Sequence, residues 1–415
     1  MPLNVRIGFF LATRALRRAS LWTTGLIIGV MVLTFLNLVV VSGILVGLLQ
    51  GAVDAVRTQY TSDVIISSLN DKKYIENSPN LISLIESLPQ VGTYTARYRE
   101  AGVLEANYKT RKETDKPNTA SAVLVGINPV KEQAVTGIAG SIIEGEFISP
   151  GDYDKIVVGG YLLKQYFPVE TPGFTTLENV RIGTKIRLTV GAVTREVTVK
   201  GILKSKVDEV SMRAYMVDSQ FRSLIGRNDG NVDEIAIKLL AGETPESVRD
   251  ALLARGVGAA AKVQTYDDAQ PKFLKDMIIT FNMLGTAFSS IGLVVASITI
   301  FIVVFINAIT RRKFIGILKG IGITGHAIEI SYIFQSIFYA LVGSGLGLAL
   351  VYGFLVPFVA AHPVDFPFSD GILVAPVDST FFRMGLLVFS TLIAGYIPAR
   401  MIIRKNTLDS ILGRN

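Results

Sequence analysis

Close pairs of carboxylates, such as Glu144/Glu146, Asp152/Asp154, Asp208/Glu209 and Asp267/Asp268, are the side chains of this 415-residue chain best spaced for acid–base or divalent-metal chemistry. All fall between Asp54 and Asp276, where 29 of 223 residues are acidic. Neighbouring pairs arise there by density alone, and a solvated surface is their expected role. The only histidines are His326 and His362, too few for a histidine-rich metal site. The chain has no cysteine, which excludes disulfides, thiolate zinc and a cysteine nucleophile. It contains neither a G-x-S-x-G elbow nor a G-x-x-x-x-G-K-(S/T) loop, so no hydrolase nucleophile of that kind and no P-loop nucleotide site is encoded. No catalytic residue and no metal site are assigned. A membrane-anchored enzyme would need a cluster that these residues do not make.

The most specific pattern is basic and apolar instead. Residues 311–322 read RRKFIGILKGIG. Phe314, Ile317, Leu318 and Ile321 recur at i, i+3, i+4 and i+7, one face of a short helix, with Arg312 and Lys319 on the other side. Such a helix can rest on lipid and anchor the preceding segment, or it can contact another protein; periodicity alone leaves both open. Gly25/Gly29 and Gly43/Gly47 have the small-x-x-x-small spacing of close helix contacts, either within one chain or at a dimer seam. Gly343, Gly345 and Gly347 lie in another apolar run and suit close helix approach in the same way. Asn37, Asn282 and Asn307 are polar groups in or near such runs, suited to interhelical hydrogen bonds.

These residues need elements to hold them, and the missing charge locates those elements. Only 18% of residues are charged, against about 25% in a soluble globular protein. There are 35 uncharged residues between Arg18 and Asp54, 34 between Asp276 and Arg311, 35 between Glu329 and Asp365, and 16 between Arg383 and Arg400. A spanning helix needs ~20 mainly apolar residues. Four spans are expected, near residues 22–46, 279–306, 332–358 and 380–400. The fourth requires Arg383 to lie near one end and reach the headgroups, because arginine at mid-membrane costs at least ~2.5 kcal/mol. The first apolar run is far longer than the ~7–15 residues of a signal peptide, so an uncleaved anchor is expected.

Basic residues flank the spans asymmetrically. Arg6, Arg14, Arg17 and Arg18 precede the first, and Arg311, Arg312, Lys313 and Lys319 follow the second. Asp365, Asp370 and Asp378 lie between the third and fourth with no basic residue. The positive-inside rule therefore expects both termini and the basic loop in the cytoplasm and residues 54–276 outside. That region carries 28 basic and 29 acidic side chains, and the rest of the chain 13 and 5. The basic balance thus belongs to membrane flanks, and a near-neutral domain excludes a nucleic-acid surface.

The external region reads as mixed α and β. Strand-like runs are 63–66, 122–126, 156–158, 185–190 and 195–202, the last alternating charge with valine. Helical periodicity appears over 81–88 and over 245–254, where Thr244-Pro245 supplies a cap and a first-turn proline. Residues 107–119 and 169–179 are polar loop candidates.

Residues 311–322 resemble the R-R-x-E-I-G-I-L-(R/K)-A-(L/I)-G pattern that follows the second span in FtsX-like permeases of ATP-binding-cassette (ABC) transporters, of the macrolide-exporter and lipoprotein-release type. Phe314 stands where that family often has Glu, and Gly320 where it often has Ala. Ile397-Pro398-Ala399-Arg400 is similar to the P-A-R-x-A closing the family's fourth span, and residues 406–412 are a looser match to its D-P-(V/I)-E-A-L-R ending. Residues 11–18 (LATRALRR) are similar to its amphipathic N-terminal helix. Within the external region, 156–162, 182–186 and 199–202 follow the family's order of segments.

The resemblance implies an α-helical membrane protein with four transmembrane helices plus an α+β extracytoplasmic domain inserted between helices 1 and 2. The implied division is 1–53, 54–276 and 277–415, with a coupling helix near 311–325 and an external loop near 359–379. It implies a multi-pass permease subunit in the bacterial cytoplasmic (inner) membrane, exporting or extracting a lipid, lipoprotein or amphiphile. The chain itself would be no enzyme and hold no cofactor; ATP and Mg would be bound by a partner ATPase. Arg311, Arg312, Lys313, Phe314, Ile315, Gly316, Leu318, Lys319, Gly320 and Gly322 would form the ATPase-coupling helix. A second permease chain, identical or paralogous, would pair with this one in membrane lipid, with room for a periplasmic adaptor or acceptor protein. A non-transporting module that activates an envelope enzyme shares all these motifs and is the alternative.

Overall fold

The structure, a computed structural model, describes residues 3–112, 116–168, 175–362, 364–366, 369–371 and 373–403. The chain forms two compact units. One comprises residues 1–49, 276–365 and 370–415, and the other residues 50–275 and 366–369.

Four helices are long and apolar enough to cross a membrane: Leu21–Thr61, Lys272–Thr310, Gly325–Ala361 and Val377–Met401. Each outruns its apolar stretch. The first has 41 residues, about 60 Å at 1.5 Å per residue, twice a ~30 Å hydrocarbon core. Hydropathy marks where a chain is apolar, not where its backbone stops being helical, and Asp54, Arg57 and Gln59 continue the same helix. Short π-turns interrupt the first helix at Asn37–Val41 and the third at Val351–Leu355 without breaking either.

The first unit is held by packing between spans. Ile27, Met31, Phe35 and Leu38 of the first span are buried with Ala296, Ile300 and Val304 of the second and Leu387 and Ala394 of the fourth. The third span approaches through glycine: a Cβ at Gly343 would lie 2.3 Å from Met31 Cβ, and one at Gly347 2.4 Å from Phe35 Cδ1. Without a hydrophobic drive between helices in lipid, such close contact is what holds them. The N-terminal helix Leu3–Arg17 packs on the third span, where Phe9 meets Phe334 edge-on at 5.4 Å.

The second unit is built on ten strands: β1 Val64–Ser68, β2 Val91–Ala106, β3 Asn118–Ile127, β4 Ile142–Gly145, β5 Lys155–Gly159, β6 Lys185–Val190, β7 Val193–Leu203, β8 Arg213–Val217, β9 Glu234–Leu239 and β10 Ala261–Thr265. The 16-residue β2 is shared between two pairings. Its first half pairs with β9, ending with Arg97 opposite Glu234, and its second half pairs with β6, starting with Val103 opposite Thr189. Following the pairings β2–β3–β8–β5–β7–β6 returns to β2, so six strands close a ring and remove their edges. β9, β1 and β10 continue outward as a wing, and β4 lines β7. Ile186, Leu188 and Val190 alternate inward from β6, whereas all five residues of β8 are buried. The helix Pro245–Ala254 coincides with its periodic stretch, whereas Ser78–Glu86 begins three residues before the stretch 81–88 and ends two before its close. Of residues 107–119, the described residues 107–112 and 116–117 lie between β2 and β3, and 118–119 open β3. Residues 113–115, 169–174 and 406–412 lie outside the described residues.

Candidate functional site

The loop helix is Arg312–Gly320, separated from the second span only by Arg311. It ends in a Schellman arrangement. Gly322 takes φ +94, its N–H donates to the Lys319 carbonyl at 3.0 Å, and the Ile323 N–H donates to the Leu318 carbonyl at 3.0 Å. A side chain at Gly322 would be strained in that backbone region. The helix is seated by one edge. Ile315 is 4% exposed, Gly316 is buried and Leu318 is half-buried, while Lys319 Nζ donates to the Ile403 carbonyl. Ile315 and Leu318 border a cavity of about 270 Å³ with Thr24, Arg311, Tyr332 and Gln335. The opposite edge is apolar and open: Phe314 is 55% exposed, Ile317 52% and Ile321 70%. The face expected over Phe314, Ile317, Leu318 and Ile321 therefore divides. Leu318 turns inward beside Ile315, and the other three form an uncovered stripe with Lys313 exposed beside them.

A second constellation joins residues far apart in sequence, at the C-terminal end of the first helix. That helix stops at Thr61, because Ser62 adopts φ 54 and Asp63 enters the sheet beside β9. Asp63 Oδ1 accepts from Arg57 Nε at 2.8 Å, and Asp63 Oδ2 accepts from the Leu239 N–H at 2.8 Å. Tyr60 then reaches into a buried ion network. Its hydroxyl donates to Glu234 Oε1 at 3.1 Å and accepts from Arg213 Nη2 at 3.0 Å, and its carbonyl accepts from Arg97 Nη2 at 2.8 Å. Arg97 also grips Glu132 with two bonds, Nε to Oε2 at 3.0 Å and Nη2 to Oε1 at 2.7 Å. Glu234 pairs with Arg97 at 3.4 Å, with Arg213 at 3.2 Å and with Arg99. Arg97, Glu132, Arg213 and Glu234 are each less than 5% exposed.

Burial alone would raise the Glu234 carboxyl. Arg213, Arg97 and Arg99 outweigh it and hold the group well below the usual carboxylate range. Thr95 and Thr136 hydroxyls complete the shell around Glu132 at 3.0 Å each. This arrangement offers no open nucleophile or proton path. It fixes the last turn of a long helix to β2, β8 and β9 with charge-assisted bonds that exclude water. Periodicity reading missed it, since its members are up to 174 positions apart. The available signal was charge inside otherwise apolar strand runs: Arg97 in TARYR, Arg213 before AYMV and Glu234 before IAIKL.

The remaining expected residues are dispersed. A Cβ at Gly25 or Gly29 would meet nothing within 4 Å, so neither is used in packing within the chain. Gly43 lies under Leu373 Cδ1 and the Val374 carbonyl, each 2.8 Å from a built Cβ, and Gly47 is buried. Gly320 is exposed, and Arg312 is the first residue of the loop helix. Among the described residues Asn37, Asn282 and Asn307 make no side-chain hydrogen bond between helices, contrary to expectation. Hydroxyls serve instead, as in Ser297–Ser390 at 2.5 Å and Tyr352–Thr380 at 3.0 Å, because a hydroxyl can also bond its own helix carbonyl and leaves no second polar atom to satisfy. Arg383, six residues into the fourth helix, turns to Ser42 Oγ of the first. The acidic pairs are spent in local bonds. Asp152 meets Lys155 at 2.8 Å and Lys200 at 2.7 Å, and Asp268 meets Arg249 at 2.8 Å. Among the described residues no three histidine or carboxylate groups converge on a metal position.

Residues 20–255 match the MacB-like periplasmic core domain model, and residues 286–407 match the FtsX-like permease C-terminal model. An uncharacterised ABC transporter permease of Mycobacterium tuberculosis is 25% identical over 267 residues, which is 62% of this chain and 30% of that protein. One from Methanocaldococcus jannaschii is 25% identical over 283 residues, 66% and 65% respectively. The chain thus spans about a third and about two thirds of these curated relatives. Among solved structures, the periplasmic region of MacB from Actinobacillus actinomycetemcomitans aligns with TM-score 0.35 and 17% identity, covering 51% of this chain and 92% of that one. The extracellular domain of the noncanonic ABC-type transporter YknZ from Gram-positive bacteria aligns with TM-score 0.31 and 13% identity, covering 49% and 99%. One of the two family models alone takes in more than half of the residues, and the chain belongs to the FtsX/MacB-type family of ABC transporter permeases.

Proposed function

We propose that this permease chain couples ATP hydrolysis in a separate cytoplasmic ATPase to movement of its α/β domain, to export or extract a lipid, lipoprotein or amphiphilic substrate. In this reading the chain lies in the cytoplasmic membrane with both termini and the loop helix inside, and a second permease chain stands beside it. The observation that carries the reading is the loop helix: one edge is anchored through Ile315, Leu318 and Lys319, while Phe314, Ile317 and Ile321 present an apolar stripe. A helix held on one edge and bare on the other transmits a push without melting. The Glu and Ala of the family pattern are Phe314 and Gly320 here, so the motor would be met by apolar contact where relatives use charge. The end of the first helix is tied into the Tyr60 ion network of the α/β unit.

The test is reconstitution of the full chain in nanodiscs with a candidate ABC ATPase subunit from the same source, supplied as a separate protein. Wild-type chain is expected to bind the ATPase and to stimulate hydrolysis. Ile317→Asp should remove the stimulation while Trp22 fluorescence and elution volume stay unchanged. Absence of association, or full stimulation by the variant, would overturn the reading.

A further inference from the structure

We propose that the first, second and fourth spans form a seat for an anionic phospholipid, with Arg383 holding its phosphate. The spans line a half-open cavity of about 600 Å³. Its lining is both apolar and polar. Leu45, Phe281 and Phe382 are among its apolar lining residues, and Ser42, Asn282 and Arg383 among its polar ones. A lining of both kinds suits a molecule with one charged end and a hydrocarbon body.

The charge sets the sign of the occupant. Arg383 is half-buried within an apolar helix, where an ionised side chain marks a functional position by default. Among the described residues its partner is the Ser42 hydroxyl, and no carboxylate lies within ion-pair distance. Asp378 lines the same cavity but is exposed and does not pair with it. A guanidinium has five donors in a planar fork, and one hydroxyl leaves most of them unanswered. A phosphate takes two in parallel. The Asn282 amide and the Ser42 hydroxyl line the same cavity and can supply further donors. The bilayer provides this chemistry at high local concentration and delivers it with acyl chains already beside the apolar lining residues. This proposal is independent of the ATPase reading: lipid retention can hold where motor association fails, and the reverse.

The full chain, purified in non-ionic detergent and stripped of lipid, is probed by native mass spectrometry with dioleoylphosphatidylglycerol and dioleoylphosphatidylcholine. The phosphatidylglycerol should be retained about tenfold more strongly, because both lipids offer a phosphodiester to Arg383 but phosphatidylcholine brings a quaternary ammonium beside it that the guanidinium repels. Arg383→Gln should abolish the preference, Arg383→Lys should keep part of it as a folded control, and Arg400→Gln should leave it unchanged. Equal retention of the two lipids overturns the proposal, as does an unaltered preference in Arg383→Gln. Displacement of the lipid by millimolar inorganic phosphate would make this a free-anion site, and a change of oligomeric state without a change in lipid retention would make it a contact between copies; either result refutes the lipid.

Discussion

Replacing Glu234 by glutamine tests the ion network at its centre. The substitution keeps the shape and one carbonyl acceptor but removes the charge that Arg97, Arg99 and Arg213 share. Glu132 remains to answer Arg97 through its bidentate pair. Arg213 has no second carboxylate within 4.0 Å among the described residues, and it is left charged with 4% exposure. Removing one partner of a buried ion pair costs about 3–5 kcal/mol, mostly as the penalty of the charge left behind. At 2–4 °C per kcal/mol for a domain of 150–250 residues, the unfolding midpoint of the α/β unit should fall by roughly 6–20 °C. The assay is thermal unfolding of the full chain in detergent by near-ultraviolet circular dichroism, paired with hydrogen exchange of the β9 amides, which should open first. Glu196→Gln is the control, because that carboxylate pairs with Lys109 and Lys185 at the surface, and its loss should leave the midpoint near wild type. If the Glu234 and Glu196 variants lose equally little, the network is not what pins the helix end.

Two further outcomes follow from the same contacts. Glu234 sits below its unfolded value, and Asp152 is held at about 2, where burial, which would raise it, is outweighed by Lys155, Lys200 and the Ser149 N–H. Both stabilise the fold above the unfolded carboxylate pKa of about 4, and that contribution drains away as pH falls from about 5 toward 2, so the midpoint should drop over that window and the slope should shrink in Glu234→Gln. Gly343→Ala places a methyl 2.3 Å from Met31 Cβ and should cost about 1–3 kcal/mol of membrane-unit stability, read as loss of monodisperse chain on heating, whereas Gly25→Ala meets nothing within the chain and should leave that profile unchanged.

Residue identity alone placed the spans, since a charge-free run longer than a bilayer needs no neighbours to be recognised. It also placed the loop helix and the α+β character of the domain, because 3.6-residue periodicity, a Thr-Pro start and alternating β6 are local properties. It did not place the longest strand, β2, which carries Arg97, Arg99, Glu100 and Glu105 and so breaks the alternation expected of a half-buried strand. Arg97, Arg99 and Glu105 are accommodated because Glu132 and Glu234 answer the two arginines and Arg187 answers Glu105, from positions that no spacing rule connects. Helix seams were equally hidden. Gly25/Gly29 and Gly343/Gly347 share one spacing, and only the packing of Met31 and Phe35 decides that the second pair is used within the chain. Composition and period fix which segments leave water and in what form. Which buried charges meet, which glycine is pressed and which face of the loop helix stays bare depend on partners brought together across the chain, and that pairing exists only once the fold has closed.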